Sequence, residues 1–318
     1  MTGWPAVSAA VQRERMDIFI ELMEAAQAVK NSSSLEDRLL CGDGHPLTHY
    51  TAFFNRTDML RQLLERYGFS ANRRDKFGYL PIHRAAENGA LESFELLRAH
   101  SNFEAIVEKS DMSCLHLAAA NGKANIIDHI IGLPGGFELL AKLDVNGQSP
   151  LHHAANYHHK ESIVSLLRNG LDPNQKDTRG YQAIHLLLAK FFNISNPYYY
   201  SKPHYVDEDR AKRALKALLD DPATDPNACN PRGQYPLTLV NGTPVLQRLL
   251  LDNERIDLCQ PIDEKGRTGI FIAASLQAWG AVKRYMDSSL VTNSTSVGAN
   301  MTELLDTGNR ILRIRTQM

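Results

Sequence analysis

The stretch from residue 149 to 167 reads SPLHHAANYHHKESIVSLL and places four histidines within eight positions, from His152 to His159. Such a cluster raises the question of a zinc or iron site. The same local pattern recurs as LPIHRAAENGALESFELL from Leu80, SCLHLAAANGKANIIDHII from Ser113 and QAIHLLLAK from Gln182. This recurrence indicates a repeat protein, in which one histidine of the cluster marks the repeat and the others do not.

The spacing of the pattern supports this interpretation. The repeat-marking histidines are His83, His116, His152 and His185, with successive spacings of 33, 36 and 33 residues. His49 lies 34 residues before His83, in the looser HPLTHYTAFFNRTDMLRQLL. Downstream, Thr238 and Phe271 hold the position and are again 33 residues apart, whereas the step from His185 to Thr238 is 53, one period plus an insertion of 20. A period that survives an insertion predicts a linear array of stacked units.

Each unit combines a short first helix that carries small residues with a second helix that carries an apolar stripe. Alanine pairs such as Ala154–Ala155 allow neighbouring helices to approach closely, and stripes such as that of residues 126–131 are buried only against the next unit. Turns of the form D/N-x-x-G separate the units, and their glycine supplies a positive φ. These turns are Asp75–Gly78, Asp144–Gly147, Asp177–Gly180, Asn230–Gly233 and Asp263–Gly266.

These residues resemble the ankyrin repeat, whose pattern reads T-P-L-H-x-A-A, then about G-H, then an apolar second helix and G-x-D-x-N. The resemblance covers about residues 44 to 287. It implies an all-α solenoid of about six to seven helix-turn-helix repeats with β-hairpin-like connectors. The predicted domains are an N-terminal helical cap over 1–43, the ankyrin-repeat array over 44–287 with an insertion at about 190–209, and a linker with a C-terminal tail or capping helix over 288–318.

The segments outside the regular repeats leave alternatives open. Residues 6 to 30 predict one amphipathic helix, and residues 31–34 cap a second short helix that begins near Leu35. We expect these helices to cover the first repeat, with a partner-binding helix as the alternative. The insertion carries Tyr198, Tyr199 and Tyr200, which are typical of interface hot spots but would also serve to pack over neighbouring helices. The tail over 303–318 is either a capping helix or a short signal.

Composition argues against several classes of function. The chain has 318 residues and a formal net charge of -1, so no long-range field attracts nucleic acid. Its four cysteines form no closely spaced pair, which indicates a reduced, cytoplasmic protein without a zinc knuckle. No apolar stretch reaches the length of a membrane span, and the start lacks a signal-peptide pattern. The expected partner is a protein, with no nucleic acid and no membrane span, and the chain is expected to be a monomer.

The resemblance implies a structural role for the repeat-marking histidines. In the family this histidine starts the first helix and bonds to the backbone and to a hydroxyl three residues earlier. Ser113 and Ser149 offer that hydroxyl, whereas Leu80 and Gln182 do not.

The other histidines of the cluster are predicted to have separate roles. His153 faces the concave groove, and His158 and His159 end the helix where the family has Gly-His. His153 and His158 are five residues apart, whereas two ligands on one helix face are four apart. We therefore expect no metal and no cofactor. The alternative is an enzyme or a metal-dependent protein that uses the His/Tyr cluster at 152–159.

The chain is thus predicted to be a non-catalytic scaffold or adaptor that binds a partner protein through the concave ankyrin surface. The sequence shows no P-loop, G-x-S-x-G, H-E-x-x-H or dinucleotide motif. Its irregular repeats are compatible with an effector that an intracellular bacterium delivers into the host cytoplasm, and a host-type cytosolic adaptor is the alternative. The predicted binding residues mix aromatic, basic and polar side chains. They are Arg74, Lys76, Phe77, Tyr79, Arg84, Glu87, Met112, Asn121, His153, Tyr157, Arg179, Tyr181, Arg232 and Tyr235, together with Tyr198, Tyr199 and Tyr200.

Overall fold

The computed structural model describes residues 5–29, 34–40, 44–189, 207–240, 243–259 and 268–287. Over these residues the chain forms pairs of short α-helices joined by turns, and an isolated β-bridge pairs Leu40 with Pro46. The predicted all-α architecture is confirmed. The chain divides into two compact units, residues 1–178 and 179–318, at a point inside the predicted array.

The first unit contains four consecutive helix pairs, preceded by three further helices. Within each pair the two helices contact each other, and the first helices stack in the order α4, α6, α8 and α10. The helices are α1 (Pro5–Gln12), α2 (Met16–Ala28), α3 (Leu35–Arg38), α4 (Leu47–Phe53), α5 (Thr57–Arg61), α6 (Pro81–Asn88), α7 (Leu91–Arg98), α8 (Cys114–Ala120), α9 (Ala124–Ile131), α10 (Pro150–Asn156) and α11 (Lys160–Arg168). A π-helical turn over Gln62–Arg66 extends α5, and a 3₁₀-helix over Phe137–Ala141 follows α9.

The second unit repeats the arrangement with three helix pairs over its described residues. The two helices of each pair again contact each other. They are α12 (Ala183–Leu188) with α13 (Glu208–Asp220), α14 (Pro236–Leu239) with α15 (Pro244–Asp252), and α16 (Gly269–Ser275) with α17 (Trp279–Asp287).

The first helices begin and stack through residues that the repeat pattern holds in place. Proline is the first residue of α6 and α10. It lacks an N–H, but the first N–H of a helix makes no intrahelical hydrogen bond, so no bond is lost. In α8 that position is Cys114, whose side chain is fully buried. The alanine pairs Ala85–Ala86, Ala118–Ala119 and Ala154–Ala155 are also fully buried, so helices of adjacent repeats lie close together.

Three of the repeat-marking histidines, His83, His116 and His185, join their first helix to the next repeat. In all four motifs Nδ1 accepts the backbone N–H of the residue three positions earlier, at 3.0 to 3.1 Å. This bond does not need a hydroxyl, and so it forms from Leu80 as well as from Ser113. Nε2 then reaches a backbone carbonyl of the following repeat, Ala105 for His83 at 2.8 Å and Gln148 for His116 at 3.0 Å.

Asp or Asn side chains hold the turns between repeats. Oδ1 of Asp75 accepts the N–H groups of Phe77 and Tyr79, and Asp144 and Asn230 make the equivalent pair of bonds. The glycine that ends each of the four described turns has a positive φ, for example 86° at Gly78, whereas the predicted turn Asp263–Gly266 lies outside the described residues. The predicted β-hairpin-like connectors are thus side-chain-braced turns without strands in the described part of the chain.

The N-terminal segment differs from the single helix predicted over 6–30. It forms two helices, α1 and α2, because the chain turns at residues 13–15 with Glu14 at a φ of 57°. Their apolar residues, among them Val11, Phe19 and Met23, share one buried cluster with Leu47 and Leu63 of the first repeat. Ser34 caps α3 by accepting the N–H of Asp37, as predicted.

Parts of two other predicted segments lie outside the described residues. The structure does not describe residues 190–206 of the insertion, which include Tyr198, Tyr199 and Tyr200. It also does not describe the linker and tail over 288–318. The last residues of the predicted insertion begin α13, whose first turn is capped by Asp207.

Candidate interaction surface

The first helices of the first unit present one continuous surface. Counted from the repeat-marking histidine, positions +2 and +3 are buried, and both are alanine in α6, α8 and α10, whereas α4 has Thr51 and Ala52. Positions +1, +4 and +5 lie on the opposite side of the helix. We call these positions, with the turns that precede them, the first-helix surface. They are Tyr50, Phe53 and Phe54 on α4, Arg84, Glu87 and Asn88 on α6, Leu117, Ala120 and Asn121 on α8, and His153, Asn156 and Tyr157 on α10.

Arg84 is the centre of an ionic network on this surface. Its guanidinium donates to Oδ2 of Asp75 at 2.7 Å and to Oε2 of Glu87 at 2.8 Å. It also lies over the ring of Tyr79, 4.0 Å from the ring centroid. Nδ1 of His45 contacts the same oxygen of Asp75 at 3.2 Å. Five residues, the predicted Arg84, Glu87 and Tyr79 and the neighbouring Asp75 and His45, are therefore fixed in one arrangement.

The network keeps its charged groups ionised. Burial alone would raise the pKa of Asp75, but hydrogen bonds from Arg84 and from the N–H groups of Tyr79 and Phe77 outweigh it and lower that pKa. Burial would lower the pKa of Arg84, and its bonds to Asp75 and Glu87 raise it instead. Arg84 and Asp75 therefore form a charged pair, and the buried carboxylate is not left uncompensated.

The turn before α6 exposes an aromatic side chain between two basic ones. Phe77 is 48% exposed, and the ammonium of Lys76 lies 5.1 Å from its ring centroid. Arg74 also lies in this turn, but its guanidinium donates to the carbonyls of Gly78 and Ile106 and so braces the turn. Of these three residues, Phe77 offers the largest apolar contact area.

Three predicted residues of the next two repeats differ in exposure. Tyr157 is 45% exposed at the end of α10, and Asn121 is exposed at the end of α8. Met112 is half-buried in the turn before α8, where its carbonyl accepts the N–H of Val107. Tyr157 and Asn121 are thus more accessible to a partner than Met112.

The first two histidines of the 152–159 cluster have different partners. His152 is buried, and its Nδ1 lies 2.9 Å from the hydroxyl of Ser149. His153 is half-buried, and its Nε2 lies 2.9 Å from Oδ2 of Asp144, the aspartate of its own turn. His153 holds position +1 of the first-helix surface, and its ring braces the turn.

The last two histidines of the cluster end the helix. His158 has a φ of 58°, at the position held by Gly89 and Gly122 in the preceding repeats. Nε2 of His159 lies 3.0 Å from the carbonyl oxygen of Ala120, in the repeat before. The imidazoles of His152, His153 and His159 therefore contact different groups. Within the described ranges, no group of three or more His, Cys, Asp or Glu side chains is arranged to hold a metal ion.

The second unit carries four of the predicted residues. The guanidinium of Arg179 lies 5.3 Å from the ring centroid of Tyr181, and this tyrosine packs edge-on against the buried His185. Arg232 is exposed, and Tyr235 is half-buried at the start of α14, where burial and a hydrogen bond with Cys229 raise its pKa. Arg179 and Tyr181 thus repeat the pairing of a cation with a tyrosine seen for Arg84 and Tyr79 in the first unit.

The structure adds three aromatic residues that the sequence analysis missed. Tyr50, Phe53 and Phe54 occupy the surface positions of α4, and the ring centroids of Tyr50 and Phe54 are 4.8 Å apart. The register from His49 places them beside Arg84, Glu87 and Asn88, so the same count along HYTAFFN would have found them.

The family of the chain follows from its repeats. The profile described as "Ankyrin repeats (3 copies)" matches residues 7–111 and 101–177, more than half of the chain. The chain belongs to the ankyrin-repeat family. Its histidine-linked helix pairs and aspartate-braced turns are thus the helices and connectors of ankyrin repeats, and such repeats act as protein-protein interaction scaffolds.

Similar stretches occur in proteins of very different kinds. The chain is 34% identical over 108 residues to the putative palmitoyltransferase ZDHHC13 of Danio rerio, a match that covers 34% of this chain and 16% of that protein. It is 30% identical over 106 residues to the ankyrin repeat domain-containing protein SAT10 of Stachybotrys chartarum, which covers 33% of this chain and 6% of that one. It is 34% identical over 109 residues to the transient receptor potential cation channel subfamily A member 1 homolog of Caenorhabditis elegans. This match covers 34% of this chain and 9% of that protein.

The matched stretch is less than a fifth of each of these relatives. The likeness therefore concerns the ankyrin repeats. Among the helices in the described part of this chain, none has the length and apolar character needed to cross a bilayer.

Proposed function

We propose that this ankyrin-repeat chain is a non-catalytic adaptor that binds a partner protein through the first-helix surface of its first unit. The observation that carries the proposal is the fixed network of Arg84, Asp75, Glu87 and Tyr79, which lies on the same surface as the exposed Tyr157. A surface whose polar groups are already held in place loses little conformational entropy when it binds.

The composition of the surface favours a protein partner. Aromatic side chains and arginine are the residues that contribute most to protein-protein interfaces. Here Tyr50, Phe53 and Phe54 lie at one end of the first-helix surface and Tyr157 at the other, with charged and amide groups between them. Such an extended, mixed surface suits a macromolecular segment better than a small molecule, which needs an enclosed pocket.

The proposal is tested with the most exposed aromatic residues of the first-helix surface, because their replacement leaves the packing of the repeats intact. Affinity capture with the full chain is compared with capture by the F77S/Y157S double variant. We expect the partner recovered by the unmodified chain to be lost, because truncation of an aromatic hot spot weakens binding by about tenfold or more.

The matched control is the F137S/V164S double variant, which removes two exposed apolar side chains away from the first-helix surface. It should retain the partner. Equal recovery by F77S/Y157S and the unmodified chain would show that this surface is not the binding site. Metal analysis of the purified protein addresses the alternative, since stoichiometric zinc or iron lost on His153 and His158 substitution would contradict an adaptor without metal chemistry.

The proposal also includes the cellular location of the adaptor. We place the adaptor in the cytoplasm, as a monomer and without a nucleic-acid partner, and in the host cytoplasm if the chain is a delivered bacterial effector. The support is the near-neutral charge and the irregular repeats of the sequence. A translocation reporter fused to the chain tests delivery, and retention of the reporter inside the producing cell would contradict it.

A further inference from the structure

At positions +1 and +4 of the first-helix surface, the third repeat carries shorter side chains than the repeats on either side, which leaves a depression there. There α8 contributes Leu117, which is only 3% exposed, and Ala120, whose side chain is a single methyl group. The helices on both sides, α6 and α10, contact α8 directly and carry longer side chains at the equivalent positions. These are Arg84 and Glu87 on α6, and His153 and Asn156 on α10. The surface is therefore lower above Ala120 than on either side.

Two tyrosines flank this depression. Tyr79 is half-buried beside α6, and Tyr157 is exposed at the end of α10, two repeats further along the chain. Burial raises the pKa of Tyr79, Arg84 opposes that rise, and Glu87, Asp75 and Tyr157 add to it. Tyr79 precedes α6 and Tyr157 follows α10, and α6 and α10 are the two first helices that contact α8.

The groups around the depression carry an excess of negative charge. Three carboxylates, those of Asp75, Glu87 and Asp144, face the guanidinium of Arg84 and the imidazoles of His45 and His153. The pKa of Asp144 is lowered, because hydrogen bonds from His153 and from backbone N–H groups outweigh the effect of burial. Arg84 is thus the one permanent cation among these six groups.

Acceptor atoms remain available at the rim. Oε2 of Glu87 binds Arg84, but no hydrogen bond among the described residues uses its Oε1, and the same is true of the hydroxyl of Tyr79. Arg84 itself is fully engaged, since two carboxylates and one aromatic ring surround its guanidinium. An acidic ligand would have to displace Asp75, whose side chain is 0% exposed and would lose its cation.

We propose that the depression above Ala120 receives a basic side chain, an arginine or a lysine, from an extended segment of the partner protein. This inference rests on the proposed function and specifies the chemistry of the partner. The cation binds between the acceptor oxygen of Glu87 and the rings of Tyr79 and Tyr157, which attract cations through their faces. Its charge offsets the local excess of carboxylates, and the alkyl stem of the side chain lies over Ala120.

The test uses a random peptide library displayed on phage and selected on the immobilised full chain. We expect the enriched peptides to share one arginine or lysine, and replacement of that residue by norleucine to weaken binding at least tenfold in fluorescence anisotropy. Enrichment of peptides without a basic residue, or equal binding of the norleucine peptide, would overturn the inference.

Two variants test the location of the proposed cation site. Ala120→Leu fills the depression and Glu87→Gln removes its charge, and each should weaken binding of the basic peptide at least tenfold. The matched controls, Ala99→Leu and Glu161→Gln, change exposed residues on other helices and should stay within twofold of the unmodified chain. Thermal unfolding of every variant shows that the fold is retained. Unchanged binding by folded Ala120→Leu contradicts the site.

The outcomes separate this inference from the proposed function. If F77S/Y157S loses the partner while binding does not depend on a basic residue, the surface is the interface and the cation site is wrong. If the partner and the peptides bind all variants equally, both proposals fail.

Discussion

At the scale of single residues, the repeat-marking histidine connects two repeats because its two nitrogens face opposite ways. Nδ1 accepts a backbone N–H inside its own repeat, so Nε2 carries the proton that is donated to the next repeat. The sequence predicted a structural role from the family pattern and from the serine hydroxyls. It could not show that the backbone N–H suffices, which is why Leu80 is tolerated before His83.

His116→Ala tests this role. The variant leaves the N–H of Ser113 and the carbonyl of Gln148 without their buried partner, and it also opens a small cavity. We expect a loss of about 2–4 kcal/mol in the free energy of unfolding, measured by urea denaturation. The control is His100→Ala, which removes an exposed imidazole and should have almost no effect. Equal stability of the two variants would refute the connecting role.

At the scale of the helices, consecutive first helices are joined at their ends. Gly122 ends α8 with a φ of 73°, and a Cβ at this position would lie 2.3 Å from Nδ1 of His159. The imidazole occupies that space because its Nε2 binds the carbonyl of Ala120. Glycine at position 122 is therefore required both by the backbone and by the histidine of the next repeat.

Gly122→Ala should destabilise the first unit through both effects. A left-handed non-glycine residue costs about 1–2 kcal/mol, and overpacking adds about 1–3 kcal/mol. We expect His159→Ala to recover part of the loss when it is combined with Gly122→Ala, which a double-mutant cycle by chemical denaturation measures. Strict additivity of the two substitutions would show that the imidazole does not cause the overlap.

The helix boundaries also show where sequence patterns stop being informative. The apolar spacing of residues 6–30 continues through Arg13, Glu14 and Arg15, and no proline or glycine marks the break there. The break arises because α1 and α2 both turn their apolar sides toward the first repeat, where Arg56 donates to the carbonyls of Val11 and Gln12. This is a tertiary effect that local propensity does not contain.

At the scale of the whole molecule, the first unit contains several buried imidazoles that resist protonation. Burial lowers the pKa of His49 and of His83 to about 4, and that of His116 to about 3. Unfolding returns these imidazoles to an ordinary value of about 6.5. Between these values the unfolded chain binds more protons than the folded one, so acid favours unfolding.

We therefore expect the stability of the first unit to be constant above about pH 6.5 and to fall steadily as the pH decreases toward 4. One pKa unit corresponds to about 1.4 kcal/mol, so three such groups lower the free energy of unfolding by several kcal/mol. Urea midpoints measured from pH 7.5 to 5 check this in a range where carboxylates stay ionised. A midpoint that does not change over this range would contradict neutral, buried imidazoles.

The array itself was predictable, because its period is set by residues that each repeat needs in order to stack. The division of the chain into two compact units between residues 178 and 179 could not be predicted, because the turn Asp177–Gly180 has the same D-x-x-G pattern as the other turns. On the proposed binding surface, the pattern gave the helix positions of Arg84 and Tyr157 but not the side chains that surround them. Arg84 forms ion pairs with Asp75 and Glu87. These contacts depend on distances between the turn and the helix, and the spacing of residues along the chain does not encode those distances.

The buried start of α8 provides a kinetic reporter within the array. Cys114 has no solvent exposure, and burial raises the pKa of its thiol to about 12, so a thiol reagent reaches it only when α8 opens. Cys229 and Cys259 are exposed and would be alkylated first. The slower phase of alkylation, attributable to Cys114, would then measure the rate at which the third repeat opens locally. A bound partner that covers α8 would slow this phase.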